Sequence, residues 1–113
     1  MFGWFKQLAA VAAGRSSKWP VVRTDHLRRE PVCVACGSKE NLNVHHVRPV
    51  ALFPELELQD TDDQLITLCE TPARNCHRIF GHGGDFRKWN KTARRDAMRY
   101  RHVMVNCLMK RDY

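Results

Sequence analysis

Residues 43–49 read NVHHVRP, which sets two histidines side by side at the end of a short extended run, just before a proline. Successive side chains in a strand point to opposite faces. One imidazole can therefore turn towards a metal while its neighbour faces a water or a substrate. Just upstream, VCVACGSKENLNVHHV carries Cys33 and Cys36 as C-x2-C, a metal knuckle closing at Gly37 and leading into a strand over about 42–47.

Working outward, ALFPELELQDTDD (51–63) reads as a loop whose Leu52, Phe53, Leu56 and Leu58 cover part of the core. QLITLC (64–69) is a second extended run. NCHRIFGHGG (75–84) is a helical turn or two, stopped by Gly83 and Gly84. A closing helix is expected over about 92–109, where Ala93, Ala97, Tyr100, Met104, Cys107 and Leu108 recur at steps of three or four. That stripe, Cys107 included, is expected in the core, with Arg95, Arg99 and His102 as an opposite basic face open to phosphates. Before the knuckle, SSKWPVVRTDHLRREP (16–31) starts a helix at Ser16 or Ser17, tolerates Pro20 in the first turn and stops by Pro31. Its Arg23, Arg28 and Arg29 either lie along DNA or are simply solvated.

A chain of 113 residues, 43% apolar and 27% charged, has the balance of a single globular domain, not of a disordered or membrane protein. Residues 1–15, MFGWFKQLAAVAAGR, faintly resemble a secretion signal. Lys6 and Gln7, however, leave too short an apolar run to cross a bilayer. We expect there a short N-terminal helical extension, packed on the body or docked on a partner, ahead of one domain over 16–113.

The net charge is +7 and unevenly spread: both ends are basic, whereas residues 33–82 carry more acidic than basic side chains. A central cation site between arms that meet a polyanion fits that layout, as does a solvated basic surface. Five cysteines is an odd number, which argues against a fully paired disulfide framework and for a cytoplasmic protein. Cys33, Cys36, Cys69 and Cys76 are the natural tetrahedral set for structural zinc; buried reduced thiols are the plainer alternative. His77 and His82, just after Cys76, add two candidate ligands for a second divalent ion.

Cys-x2-Cys followed by VHHVRP, QLITLC and NCHRIFGH resembles the HNH endonucleases of the ββα-metal class over residues 16 to about 97. FPELEL, LITLC and CH…FGH are similar to small phage and prophage HNH proteins. The resemblance implies an α+β fold: a small ββα-metal (His-Me finger) core with a zinc knuckle, flanked by N- and C-terminal helices. It implies hydrolysis of DNA phosphodiesters with His46 as general base. His45, His77 and His82 would hold one catalytic cation (Mg, Mn, Ni or Zn), and the four cysteines a separate structural zinc. Arg48 would clamp a neighbouring phosphate. Gln64 stands where the family has the asparagine that braces the loop and positions the base.

His77 and His82 are five apart, whereas four residues put two side chains on one face of a regular helix. Either Gly81 admits a wider turn, or one of the two stays off the ion. The implied partner is double-stranded DNA, with a phage DNA-packaging protein as a further possibility, no membrane, and the cytoplasm of a bacterial host as the setting. The rival is a zinc-stabilised DNA-binding or adaptor module without catalysis. Paired His45 and His46 favour the enzyme, since four cysteines do not need them, and Gln64 favours the adaptor.

Overall fold

A computed structural model describes residues 16–110, so the expected extension over 1–15 lies outside the described residues. Helix α1 (Trp19–Arg29) begins with Pro20 in its first turn, where a missing N–H costs nothing. It ends with His26, Arg28 and Arg29 against the negative end of the helix dipole, one residue before the Glu30–Pro31 stop. Strands β1 (Leu42–His46) and β2 (Leu65–Cys69) pair antiparallel, with His46 opposite Leu65, His45 opposite Ile66 and Val44 opposite Thr67. A short 3-10 turn (Pro54–Leu56) lies between them. A π-helical turn (His77–Gly81) follows, then helix α2 (Ala93–Lys110). This is the α+β arrangement expected for a ββα-metal core.

Two strands alone are marginal in water, because their outer edges stay unpaired and their faces uncovered. Here β2 is buried along its whole length. Its outer edge is satisfied by groups from elsewhere in the chain. Glu30 accepts the Thr67 N–H at 2.8 Å through Oε1, and its own carbonyl accepts the Thr67 hydroxyl at 2.8 Å. The Val34 N–H donates to the Thr67 carbonyl at 3.0 Å, and Arg94 of α2 donates to the Leu65 carbonyl at 2.9 Å. Arg94 also grips the Glu30 carboxylate at 2.7 and 3.1 Å, so one carboxylate ties α1, β2 and α2 together. Buried His26 extends the network, bridging Glu30 at 3.0 Å and Asp60 at 2.8 Å.

The apolar core is small: Val47, Ile66, Leu68, Ala93 and Ala97 pack with Ala35 and with three of the cysteines, Cys33, Cys69 and Cys76. The α2 stripe is buried only at its start. Ala93 and Ala97 are fully covered, whereas Tyr100, Leu108 and Cys107 are exposed, so Cys107 is not in the core. The reason is reach. The last firm hold is near Arg101, whose guanidinium lies over Gly37 of the knuckle, and beyond it the helix runs past the body. In the 51–63 loop the expected burial is also inverted, with Leu52 exposed and Glu57 buried. No helix among the described residues is long and apolar enough to cross a membrane.

Burial alone would raise the Glu30 carboxyl, but hydrogen bonds from His26, Arg94 and the Thr67 N–H outweigh it and hold it at about 2, against 4.5 for a free side chain. Its stabilising contribution is therefore complete above about pH 4.5 and disappears as the pH falls towards 2. Glu30→Ala should cost about 3 kcal/mol in urea denaturation at neutral pH, since it strands the half-buried Arg94 guanidinium and the Thr67 N–H. It should also flatten the acid limb of the stability curve in that window.

Candidate functional site

The pleat sends the two histidines opposite ways, as the sequence suggests. His46 turns to α1, its ring 4.4 Å from that of Trp19, and His45 turns to the π-helical turn. The wider turn settles the five-residue spacing. A π-turn bonds each residue to the fifth one on rather than the fourth. It brings His82 back over His77, with their Nε2 atoms 3.2 Å apart. His45 Nδ1 lies 3.0 Å from the same His77 Nε2. One ligand atom from each of the three rings thus falls within 4.8 Å of the others.

The outer nitrogens fix which atoms face inward. His77 Nδ1 donates to Glu70 Oε1 at 2.9 Å, and His82 Nδ1 donates to the Lys88 carbonyl at 2.7 Å. In the neutral rings both Nε2 atoms therefore carry lone pairs, pointed at each other with no proton between them. Glu70 is itself held by Asn43 Nδ2 at 3.2 Å. Burial, and then the nearness of His77 and His82, pushes His45 down to about 3, and burial also lowers His77 against the pull of Glu70. Both rings are neutral at neutral pH, the form that can ligate. Converging lone pairs of this kind repel unless a cation lies among them, so the donor set fits a divalent ion. The other nitrogen of His45, Nε2, is buried and without a hydrogen-bond partner among the described residues.

His46 is held differently. Its Nε2 donates to the Glu57 carbonyl at 2.9 Å, which leaves the lone pair of the neutral ring on Nδ1. His45, His46, His77 and His82 line one cleft of about 310 Å³ with Asn43, Val44, Pro49, Val50 and Ala51. Gln64 is fully buried, and its amide brackets the backbone of Arg48, accepting from its N–H at 3.2 Å and donating to its carbonyl at 3.0 Å. The longer side chain thus reaches the loop that follows β1. The Arg48 guanidinium does not join the histidines; it rests on the carbonyl and carboxylate of exposed Asp63.

The four cysteines also converge. Cys33, Cys36, Cys69 and Cys76 have their sulfurs within 4.8 Å of one another, Cys36 and Cys69 at 3.5 Å, and none is in a disulfide. The Cys36 N–H points back at the Cys33 sulfur at 3.5 Å. Burial pushes the Cys33 and Cys76 thiols up. At Cys69 burial acts the same way, but hydrogen bonds from Cys76 and Thr71 outweigh it and bring the thiol to about 6. Four sulfurs in a closed cluster fit a metal held for structure.

Residues 33–82 match the family model described as HNH endonuclease. Over residues 33–82 the chain is similar to an HNH endonuclease domain. No curated protein and no solved structure matches the chain. The matched segment spans the knuckle, both strands and the π-turn, and it leaves α1 and α2 outside. Around the HNH histidines the structure adds residues that sequence reasoning missed: Trp19 and Glu57 on His46, Glu70 on His77, and half-exposed Phe86, 5.0 Å from the His82 ring and 5.5 Å from that of His77. Apart from the acidic character of 53–60, no sequence signal marked them, because each acts across a gap between elements. On α2, Arg95, Arg99 and His102 line a separate cleft of about 670 Å³ with Lys91, Met98 and Asp63.

Gly81 lies against the His45 ring, and a Cβ there would stand 3.1 Å from Nε2 and 3.2 Å from its carbon neighbours. The ring is buried and has little room to give. Gly81→Ala should therefore weaken divalent-ion binding at the histidines by about 10-fold, a typical effect of disturbing a ligand's support. Calorimetric titration should show the cysteine cluster unchanged.

Proposed function

We propose that this protein is a metal-dependent DNA endonuclease or nickase, and that the four-cysteine cluster holds a structural zinc. The observation that carries the reading is the division of labour among the histidines. Three imidazoles bring one nitrogen each to a common point, while a fourth, in the same cleft, is held at Nε2 by a carbonyl and does not belong to that trio. Three nitrogen ligands leave positions open, as catalytic metal sites do and four-sulfur sites do not.

Hydrolysis of a phosphodiester needs a base for the attacking water and positive charge for the oxygen that leaves. His46 accepts the water's proton at Nδ1 while the Glu57 carbonyl keeps the opposite nitrogen protonated. His45, His77 and His82 would hold the divalent ion, which supplies Lewis-acid stabilisation of the scissile phosphate and the departing 3′ oxygen. Glu70 orients the His77 ring for that task. Gln64 keeps the 47–49 loop in place behind His46, the brace the family's asparagine provides. Arg48, on the same braced loop, takes an adjoining phosphate in exchange for Asp63. The net charge of +7 and the cations of α2 suit a duplex bound through its backbone.

His46→Ala should leave folding, metal content and DNA affinity close to the parent and cut plasmid nicking by about 10² to 10⁴. His45→Ala should lose a ligand and recover part of its activity at high metal concentration, which His46→Ala should not. Parent protein that nicks no supercoiled plasmid with Mg, Mn, Ni or Zn would instead favour the adaptor. For the cysteines, Cys33→Ser should release zinc and lower the melting temperature sharply, whereas Cys107→Ser, at an exposed position, should do neither.

A further inference from the structure

Resting on the reading of His46 as the base, we infer that Trp19, which lies outside the matched HNH segment, is a positioning residue for the His46 ring. The imidazole has one edge fixed: Nε2 donates to the Glu57 carbonyl at 2.9 Å. A hydrogen bond at one edge does not by itself set the plane of a ring. The indole of Trp19 covers its face at a centroid distance of 4.4 Å, with the planes 36° apart, and a flat surface removes that freedom.

The two supports are clamped to each other. The Ser16 N–H donates to both oxygens of the buried Glu57 carboxylate, at 3.1 and 3.2 Å. The Trp19 N–H donates to the Ser16 carbonyl at 3.0 Å, and the Lys18 N–H to the Ser16 hydroxyl at 3.1 Å. Pro20 then fixes the first turn of α1. Residues 16–19 and the 54–57 turn thus form one bracket that holds His46 by edge and face. The first turn of α1 is in this way part of the active site, and a domain cut at residue 33 would lack half of what aligns its base.

The experiment compares full-length Trp19→Leu and Trp19→Phe with the parent. Leucine keeps apolar bulk without a flat face, and phenylalanine keeps the face. Trp19→Leu should lower kcat for plasmid nicking by about 10- to 100-fold, the usual cost of a small misplacement, with KM changed less than about twofold. Trp19→Phe should restore most of kcat. Nitrogen-15 correlation spectra of the His46 ring give a second readout that needs no cleavage: the parent and Trp19→Phe should show a single Nε2-protonated tautomer, and Trp19→Leu a mixture. Equal kcat and identical ring spectra in Trp19→Leu would overturn the inference while leaving the base assignment standing. A Trp19→Phe protein as impaired as Trp19→Leu would overturn it too, assigning Trp19 to packing alone. If the parent cleaves nothing, the functional reading fails, and the ring spectra still decide whether Trp19 positions His46.

Discussion

The outer edge of β2 is the constraint on which the rest of the molecule depends. A two-stranded sheet cannot support an active site unless its free edge is closed, and no third strand is present among the described residues to close it. Glu30, Val34 and Arg94 do so with a carboxylate, an N–H and a guanidinium drawn from three separate segments. Because Glu30 and Arg94 also join α1 to α2, one set of contacts closes the edge and holds the helices. Everything in the histidine cleft hangs from strands secured in this way.

From that frame the chemistry follows by simple geometry. Alternation along β1 divides the paired histidines between two neighbours, α1 for His46 and the π-turn for His45. A π-turn is a costly local conformation, and proteins retain it where function requires it. Here its wider pitch is what brings residues 77 and 82 to a common point. Asn75, in the left-handed region at φ 37°, caps the approach by accepting the Arg78 N–H at 3.1 Å through its side chain.

Much of this was legible in the sequence, because strand alternation, C-x2-C spacing and glycine stops are local signals. The two strands, the knuckle, the four-cysteine cluster and the histidine trio all come from such patterns. Burial that depends on distant partners was not legible. The stripe on α2 has the right period throughout, yet only Ala93 and Ala97 are fully buried, since a period records which residues share a face and not how far a neighbour extends. Nothing local marked Glu57 in the 51–63 loop; it is buried, and its carboxylate accepts the Ser16 N–H from 41 residues away. Gln64 has one methylene more than the family's asparagine, and only the structure tells that its amide lands on the Arg48 backbone.

The two clusters that could hold metal ions are joined end to end along the chain. Cys69 is followed directly by Glu70, which steadies His77, and Cys76 is followed directly by His77 itself. The 69–76 loop is therefore pinned at both ends by sulfur, and each pin sets the placement of a nitrogen-ligand support one peptide bond away. An oxidant that paired Cys36 with Cys69, whose sulfurs already lie 3.5 Å apart, would pull on Glu70 through one peptide bond and on His77 only through the hydrogen bond between the two side chains.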